Sequence, residues 1–184
     1  ERDEGLVGSE MCIRDRYKVI VPVSGSGVIK GGNPNYECCE NHGAVTALNL
    51  HTGEKLWEYH TMPAAEYTGQ VSSTGIKQRG PSGAPIWTTP TVDRERGQIY
   101  VTTGENTSHP TTNTSDAVIA LDIETGGVNW VFQALENDMW NYGCTNGGPN
   151  CIILDDTNSV DFDFGGPAIL VELEGRDMLC LLYT

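Results

Sequence analysis

Two cysteines stand side by side at Cys38 and Cys39, and two more, Cys144 and Cys151, bracket the short loop CTNGGPNC. A bond between neighbouring cysteines strains the backbone and closes a small, rigid ring. The alternative is that each pairs elsewhere or stays reduced. A Cys144–Cys151 bond would close a short loop. A thiolate metal site needs more His or Cys nearby than the sequence offers. Glu105 and Asn106, in TTGENTS, present a carboxylate and an amide. Such oxygens suit calcium, which takes roughly six to eight of them; the same string also reads as a polar turn. In NDMWN, Asp138 is a carboxylate able to take a proton, whereas the Asn141 amide cannot do so near neutral pH. Trp87, after GPSGAPI, offers a large flat ring, either for stacking on a flat ligand or for packing between sheets.

These residues must be held by something built mainly of strands. The chain has 184 residues, of which 38% are hydrophobic and 20% charged, in keeping with one soluble globular domain. Its 22 glycines and 9 prolines favour short strands and turns over helices. The net charge of −14 argues against nucleic acid, whose phosphates need a basic face. No stretch approaches the roughly 20 apolar residues that span a bilayer, and no secretory leader is visible at the start.

A repeat organises the middle of the chain. AVTALNLHTGEKLW at 44–57 returns as AVIALDIETGGVNW at 117–130, offset by 73 residues. Each copy is an apolar strand, a Thr-Gly turn and a second strand carrying Trp57 or Trp130. KVIVPV at 18–23 and QIYVTT at 98–103 read as preceding strands, and AILVEL at 168–173 as the first strand of a further unit. The expected strands are 18–23, 44–50 and 55–60 in one unit, then 86–92, 98–103, 117–123 and 128–133 in the next. Four strands per unit is the pattern of a β-propeller blade. The predicted fold is all-β: a partial β-propeller of about two and a fraction four-stranded blades. Segments 24–43, 61–85, 104–116 and 134–166 read as long loops, where function concentrates. The repeated position of Trp57 and Trp130 predicts that both pack between blades. Asn106-Thr107-Ser108 and Asn113-Thr114-Ser115 read as turns.

The repeat A-L-x-x-x-T-G-x-x-x-W resembles the tryptophan docking motif of quinoprotein dehydrogenases. The ordered loops YECCENHGAVTALNLHTGEKLW, GPSGAPIWTTPTVD, IYVTTGENTSHPTTNTSDAVIALDIETG and NDMWNYGCTNGGPNC…DFDFGGPAILVEL resemble the polyvinyl alcohol dehydrogenase branch of that family. The resemblance implies an eight-bladed propeller that holds pyrroloquinoline quinone near its axis and oxidises an alcohol. It implies that Cys38–Cys39 covers one face of the quinone, that Trp87 forms the floor beneath it, and that Ser24 and Gly25 lie beside it. Glu105 and Asn106 fall where relatives bind a calcium ion. One departure is plain: relatives carry a glutamate ligand after Ser-Gly, but here Ser24-Gly25-Ser26-Gly27 follows, with no carboxylate between Val19 and Tyr36. A second lies at Asn141, where alcohol-oxidising relatives present an aspartate base. The expectation is that Asn141 positions substrate while Asp138, or a carboxylate elsewhere, takes the proton.

The resemblance further implies a periplasmic enzyme passing electrons to a cytochrome c. No C-x-x-C-H haem motif occurs in the sequence. A rival reading is a non-enzymatic propeller scaffold of the outer-membrane assembly type, which shares the docking repeats but lacks these loops. Residues 1–16 and 179–184 resemble translated adapter sequence, which leaves Cys12 and Cys180 without a function and 17–178 as the propeller portion. The four remaining cysteines, an even number, suit an oxidising compartment.

Overall fold

The computed structural model describes residues 13–15, 17–151 and 161–183. Residues 1–12, Cys12 among them, and Arg16 lie outside the described residues. Two antiparallel four-stranded sheets dominate. The first contains β1 (Ile13–Asp15), β2 (Lys18–Val23), β3 (Ala44–Asn49) and β4 (Lys55–His60), paired in chain order. Further along the chain come β5 (Glu66–Val71), β6 (Lys77–Gly80) and β7 (Ser82–Gly83). The second sheet contains β8 (Thr91–Asp93), β9 (Gln98–Thr102), β11 (Ala117–Asp122) and β12 (Val128–Gln133), also in chain order, with β10 (Asn106–Ser108) standing outside it. A hairpin of β13 (Ile169–Leu173) and β14 (Arg176–Cys180) begins a third unit.

The 73-residue offset survives in the structure: β3 and β4 coincide in length and register with β11 and β12. Both pairs shift register at one place, after Ala47 and after Ala120, so that the small alanine sits opposite Trp57 or Trp130. An extra residue at such a bulge re-aims the side chain beside it.

The two sheets pack face to face. Ile20, Val45, Ala47 and Trp57 of the first meet Ile99, Val101, Ile119 and Leu121 of the second, with Ile86 between them. The other face of the second sheet packs Tyr100 and Ala120 against Ala168. Strands β9 and β11 are therefore covered on both faces, which explains why QIYVT and AVIAL read as apolar runs without alternation.

The two tryptophans part company. Trp57 is 9% exposed and donates its indole N–H to the Ile123 carbonyl at 3.2 Å. Its ring lies over Gly126, where a Cβ would come within 2.5 Å of it and where φ is +71°. Trp130 is 39% exposed and meets Tyr100 of its own sheet rather than a neighbouring blade. The expected inter-blade packing is seen for Trp57 alone.

Other expectations need correcting. The strand expected at 86–92 begins only at Thr91. Ile86 instead gives its N–H to Val23 of the first sheet, and Pro90 has no N–H to give a ladder. The presumed loops carry structure: a short helix α1 (Gly27–Lys30), the β5–β6 hairpin, the β7–β10 pair and a 3-10 turn at Tyr142–Asn146. Asn106-Thr107-Ser108 is strand β10 rather than a turn, while Asn113–Ser115 does form one. The hairpin escapes pattern reading because β5 is exposed at every residue, so no apolar alternation marks it.

Candidate functional site

Three segments far apart in sequence run side by side. Ser82 and Gly83 pair with β10, and the Ala84 N–H donates to the Glu105 carbonyl at 2.7 Å. On the far side, the Asn106 N–H donates to the Asp138 carbonyl and the Trp140 N–H to the Asn106 carbonyl. This weave carries Glu105, Asp138 and Asn141 into one region.

What gathers there is a set of carboxylates. Glu105, Asp161 and Asp163 each place an oxygen within 4.8 Å of the others. Glu105 is buried, and its own N–H donates to Asp163 Oδ1 at 3.2 Å. The Asp163 carboxylate lies so close over Gly104 that a Cβ there would meet its oxygen at 1.9 Å. Burial pushes the Glu105 carboxyl far up, and the charge of Asp163 adds to the effect. Two further acids feel this group. Burial, then Asp138 and Asp163, raise Asp116 to about 8. Burial raises Asp138 to about 6, partly offset by the amides of Met139 and Phe162. Asp116 Oδ2 and Asp138 Oδ2 are buried and have no hydrogen-bond partner.

Like charges in a region of low dielectric raise one another's pKa, and a bound cation reverses that cost. Every donor is oxygen, the first choice of calcium and of other hard cations, and unpartnered lone pairs remain. The residues fit such an ion. Glu105 brings a carboxylate oxygen to that group.

Asn106 does not. Its amide N–H groups go to Ser115 Oγ and the Asp138 carbonyl, and its oxygen accepts from Thr112 N and Oγ1. That side chain fastens loops together and has no free oxygen for a metal. Asn141 is likewise consumed. It donates to the carbonyls of Thr107 and Asn150, touches Cys38 Sγ at 3.9 Å, and accepts from Gly143 N at the start of the 3-10 turn. With no exposed surface it cannot hold a substrate hydroxyl. Asp138, 2% exposed, is also closed to direct contact with substrate. Any additional chain packing on this one can only cover more.

Cys38 and Cys39 are bonded to each other, as are Cys144 and Cys151. The Cys38 carbonyl and Cys39 N–H pair with Arg79 of β6. Both vicinal cysteines are wholly buried, so the pair braces its loop instead of offering a face to a ligand. Trp87 is 41% exposed and keeps a surface open. Ser24 is half-buried, and Gly25 is exposed at φ +87°, packed beside Asn41. Cys180 is an exposed free thiol in β14.

Sequence reasoning passed over Asp116, Asp161 and Asp163. The last two stand in DFDFGG, and a D-x-D string in extended chain puts both carboxylates on one side. That signal was present. Asp116, at φ +47° between the Ser115 turn and β11, looked like an ordinary turn residue.

Successive four-stranded sheets packed face to face through Trp57, with a third hairpin beginning beyond them, form a sector of a β-propeller. The family profile described as PQQ, glucose/ethanol/alcohol dehydrogenase, beta-propeller domain, matches residues 18–155, and the chain belongs to that family. It is 34% identical over 163 residues to a polyvinylalcohol dehydrogenase of Sphingopyxis sp. (strain 113P3), covering 88% of this chain and 25% of that protein. It is 26% identical over 143 residues to a glycerol dehydrogenase large subunit of Gluconobacter oxydans (strain 621H), covering 73% of this chain and 16% of that one. Among solved structures, the quinohemoprotein alcohol dehydrogenase ADHIIG of Pseudomonas putida HK5 aligns with a TM-score of 0.55 at 19% identity, over 92% of this chain and 23% of that one. A europium-containing methanol dehydrogenase also aligns with a TM-score of 0.55, at 18% identity, over 92% of this chain and 29% of that one. These two likenesses show the fold. The chain spans about a quarter of the polyvinylalcohol dehydrogenase it matches.

Proposed function

We propose that this chain is the metal-bearing sector of a periplasmic, quinone-dependent dehydrogenase that oxidises primary or secondary alcohols, polyvinyl alcohol among them, and passes electrons to a cytochrome c. The observation that carries this reading is the convergence of Glu105, Asp161 and Asp163 within 4.8 Å, beside two buried acids with unpartnered oxygens. Calcium is the cation proposed for this group. The 34% identity to polyvinylalcohol dehydrogenase over 88% of the chain supports the substrate class.

Bound pyrroloquinoline quinone supplies the two-electron acceptor that the side chains lack. Trp87, still partly open, provides a ring on which a flat ligand stacks. Ser24 and Gly25 border the same cofactor. Glu105 and Asp163 hold the metal. Asp161, the exposed member of the triad, is the carboxylate that substrate can reach, and it takes the hydroxyl proton. The full-length protein, purified with quinone and calcium, should reduce a dye acceptor when given secondary alcohols. Loss of that activity on chelation, with recovery on adding calcium, is the expected result; no turnover with any alcohol under those conditions overturns the reading.

A further inference from the structure

Asn106 adjoins Glu105, is wholly buried, and touches both segments that carry the acids with unpartnered oxygens. One segment holds Asp138. The Asn106 backbone N–H donates to the Asp138 carbonyl at 3.3 Å, and the side-chain amide donates to the same oxygen at 3.1 Å. The other segment is the turn through Thr112 and Ser115 that leads into Asp116. The amide also donates to Ser115 Oγ at 2.7 Å, and its oxygen accepts from Thr112 N at 3.2 Å and Thr112 Oγ1 at 3.0 Å. We infer that Asn106 is the positioning residue of the acidic centre: one side chain sets Asp138 and Asp116 beside Glu105, so that the carboxylates are gathered before a cation arrives. The inference rests on the cation reading above and adds what holds that site in shape.

The contacts ask for an amide. Thr112 N can only donate, and the Asp138 carbonyl can only accept. A side chain set between them must carry an acceptor at one end and a donor at the other. Both N–H groups and both lone pairs of the Asn106 amide are used in this way. Ser115 Oγ is itself committed as an acceptor. It also receives Gln133 Nε2 at 3.3 Å, and gives its own proton to the Thr112 carbonyl at 3.3 Å.

The main chain completes the frame. The Asp116 N–H donates to the Gly104 carbonyl at 3.0 Å, and the Trp140 N–H to the Asn106 carbonyl at 2.9 Å. Glu105 therefore stands between a residue that holds Asp116 and one that holds Asp138, while its own N–H holds Asp163. Asp116 and Asp138 both feel the charge of Asp163. Left free, carboxylates in such a group would move apart. A frame that forbids this spares a bound cation the cost of assembling them.

A metal ligand and a positioning residue answer one substitution with opposite signs. Asn106→Asp keeps the size and the acceptor, but a carboxylate cannot donate to the Asp138 carbonyl or to Ser115 Oγ. It also adds negative charge beside the site. Were Asn106 a ligand, or were charge alone decisive, a cation would bind as tightly or more tightly. The positioning role requires weaker binding. In the full-length protein without quinone, terbium affinity read from tryptophan-sensitised luminescence should fall about 10-fold or more, the scale on which partners of metal ligands act. Ser115→Ala leaves Asn106 in place and removes one acceptor. It should lower the affinity about 3-fold or more, the scale of one lost hydrogen bond, and it carries the test if Asn106→Asp does not fold. Thermal melting of the metal-free proteins is followed alongside. Variants that melt lower yet bind terbium like wild type show a purely structural role and overturn the inference. Tighter binding by Asn106→Asp overturns it too, and returns the residue to the ligand set. A wild type that binds no terbium overturns the cation reading, and this inference with it.

Discussion

Glu105 gives its backbone N–H to the Asp163 carboxylate at 3.2 Å while its own side chain lies within 4.8 Å of Asp163 and Asp161. One residue thus orients one carboxylate of the proposed cation site and supplies another, which makes it the keystone of that site. Glu105→Gln keeps the shape and the backbone bond but removes a charge. In the full-length protein it should weaken calcium binding by about 10-fold or more, on the scale by which even outer partners of metal ligands act. Terbium luminescence sensitised by nearby tryptophan, with calcium as competitor, measures this. An unchanged affinity would place the metal elsewhere.

The acids also set a pH dependence. Asp116 carries its proton up to about 8 when folded, against 3.8 as the ordinary value. Between these limits the folded state holds a proton that the unfolded state has lost. Stability of the metal-free protein therefore falls as pH rises from about 4 to about 8. Asp138, raised to about 6, adds to the slope in the lower half of that window. Asp116→Asn should make the upper half shallower, with the remaining slope there set by Glu105, raised to about 9. Thermal melting against pH in chelator, wild type beside variant, gives the comparison; a wild-type Tm that climbs across this range would contradict it. Calcium should restore stability at the alkaline end by binding the folded state alone.

Trp57 and Trp130 occupy equivalent places in the repeat but not in the structure. Trp57→Ala removes a buried ring and its bond to Ile123, and should cost about 3–5 kcal/mol. In this 184-residue chain Trp130→Ala should cost much less, since that ring is 39% exposed. Urea midpoints of the two variants decide the matter. Equal losses would mean that the two sheets do not meet through Trp57 as described.

That difference marks where sequence reading succeeds and where it stops. Residues 44–57 and 117–130 carry local signals, apolar strands and a Thr-Gly turn, which repeat and so declare their strands. Whether a ring is covered depends on what packs over it, which the repeat itself does not contain. The cation site divides in the same way. Glu105 stood out as a carboxylate in a polar loop after a strand. Asn106, beside it, looked equally able, but its amide is spent on Ser115, Thr112 and the Asp138 carbonyl, contacts made across the fold. Asn141 was singled out by comparison with an aspartate and proves to be a capping residue. Asp161 and Asp163 lie 56 and 58 residues beyond Glu105, and only folding brings them within reach.

Apolar surface left open on this chain has its own consequence. Val128, Trp130 and Phe132 alternate along β12 and are all exposed, as are Ile169, Val171 and Leu173 along β13. Exposed edges of this kind invite association. Expressed by itself, the 184-residue chain should self-associate and bind a hydrophobic dye such as ANS. A monomer by sedimentation, with a sharp melt and no dye binding, would show that these faces are stable uncovered.

The proton acceptor can be assigned by accessibility. A general base must come within hydrogen-bond reach of the hydroxyl or act through one water. Asp138 is 2% exposed even in this open sector, and its Oδ1 is engaged by the Met139 N–H. Asp161 is exposed and borders the metal site. Burial raises both carboxyls; reach separates them. In the full-length enzyme Asp161→Asn should lower kcat by roughly 100-fold or more, the scale of general-base loss. Asp138→Asn should lower it far less. Because Asp161 also borders the cation, turnover is measured at saturating calcium, with occupancy followed by terbium competition. A large kcat loss in Asp161→Asn with the metal still bound assigns the base. Full turnover in that variant, with a collapse in Asp138→Asn, would return the role to Asp138 acting through a water that enters as the site opens.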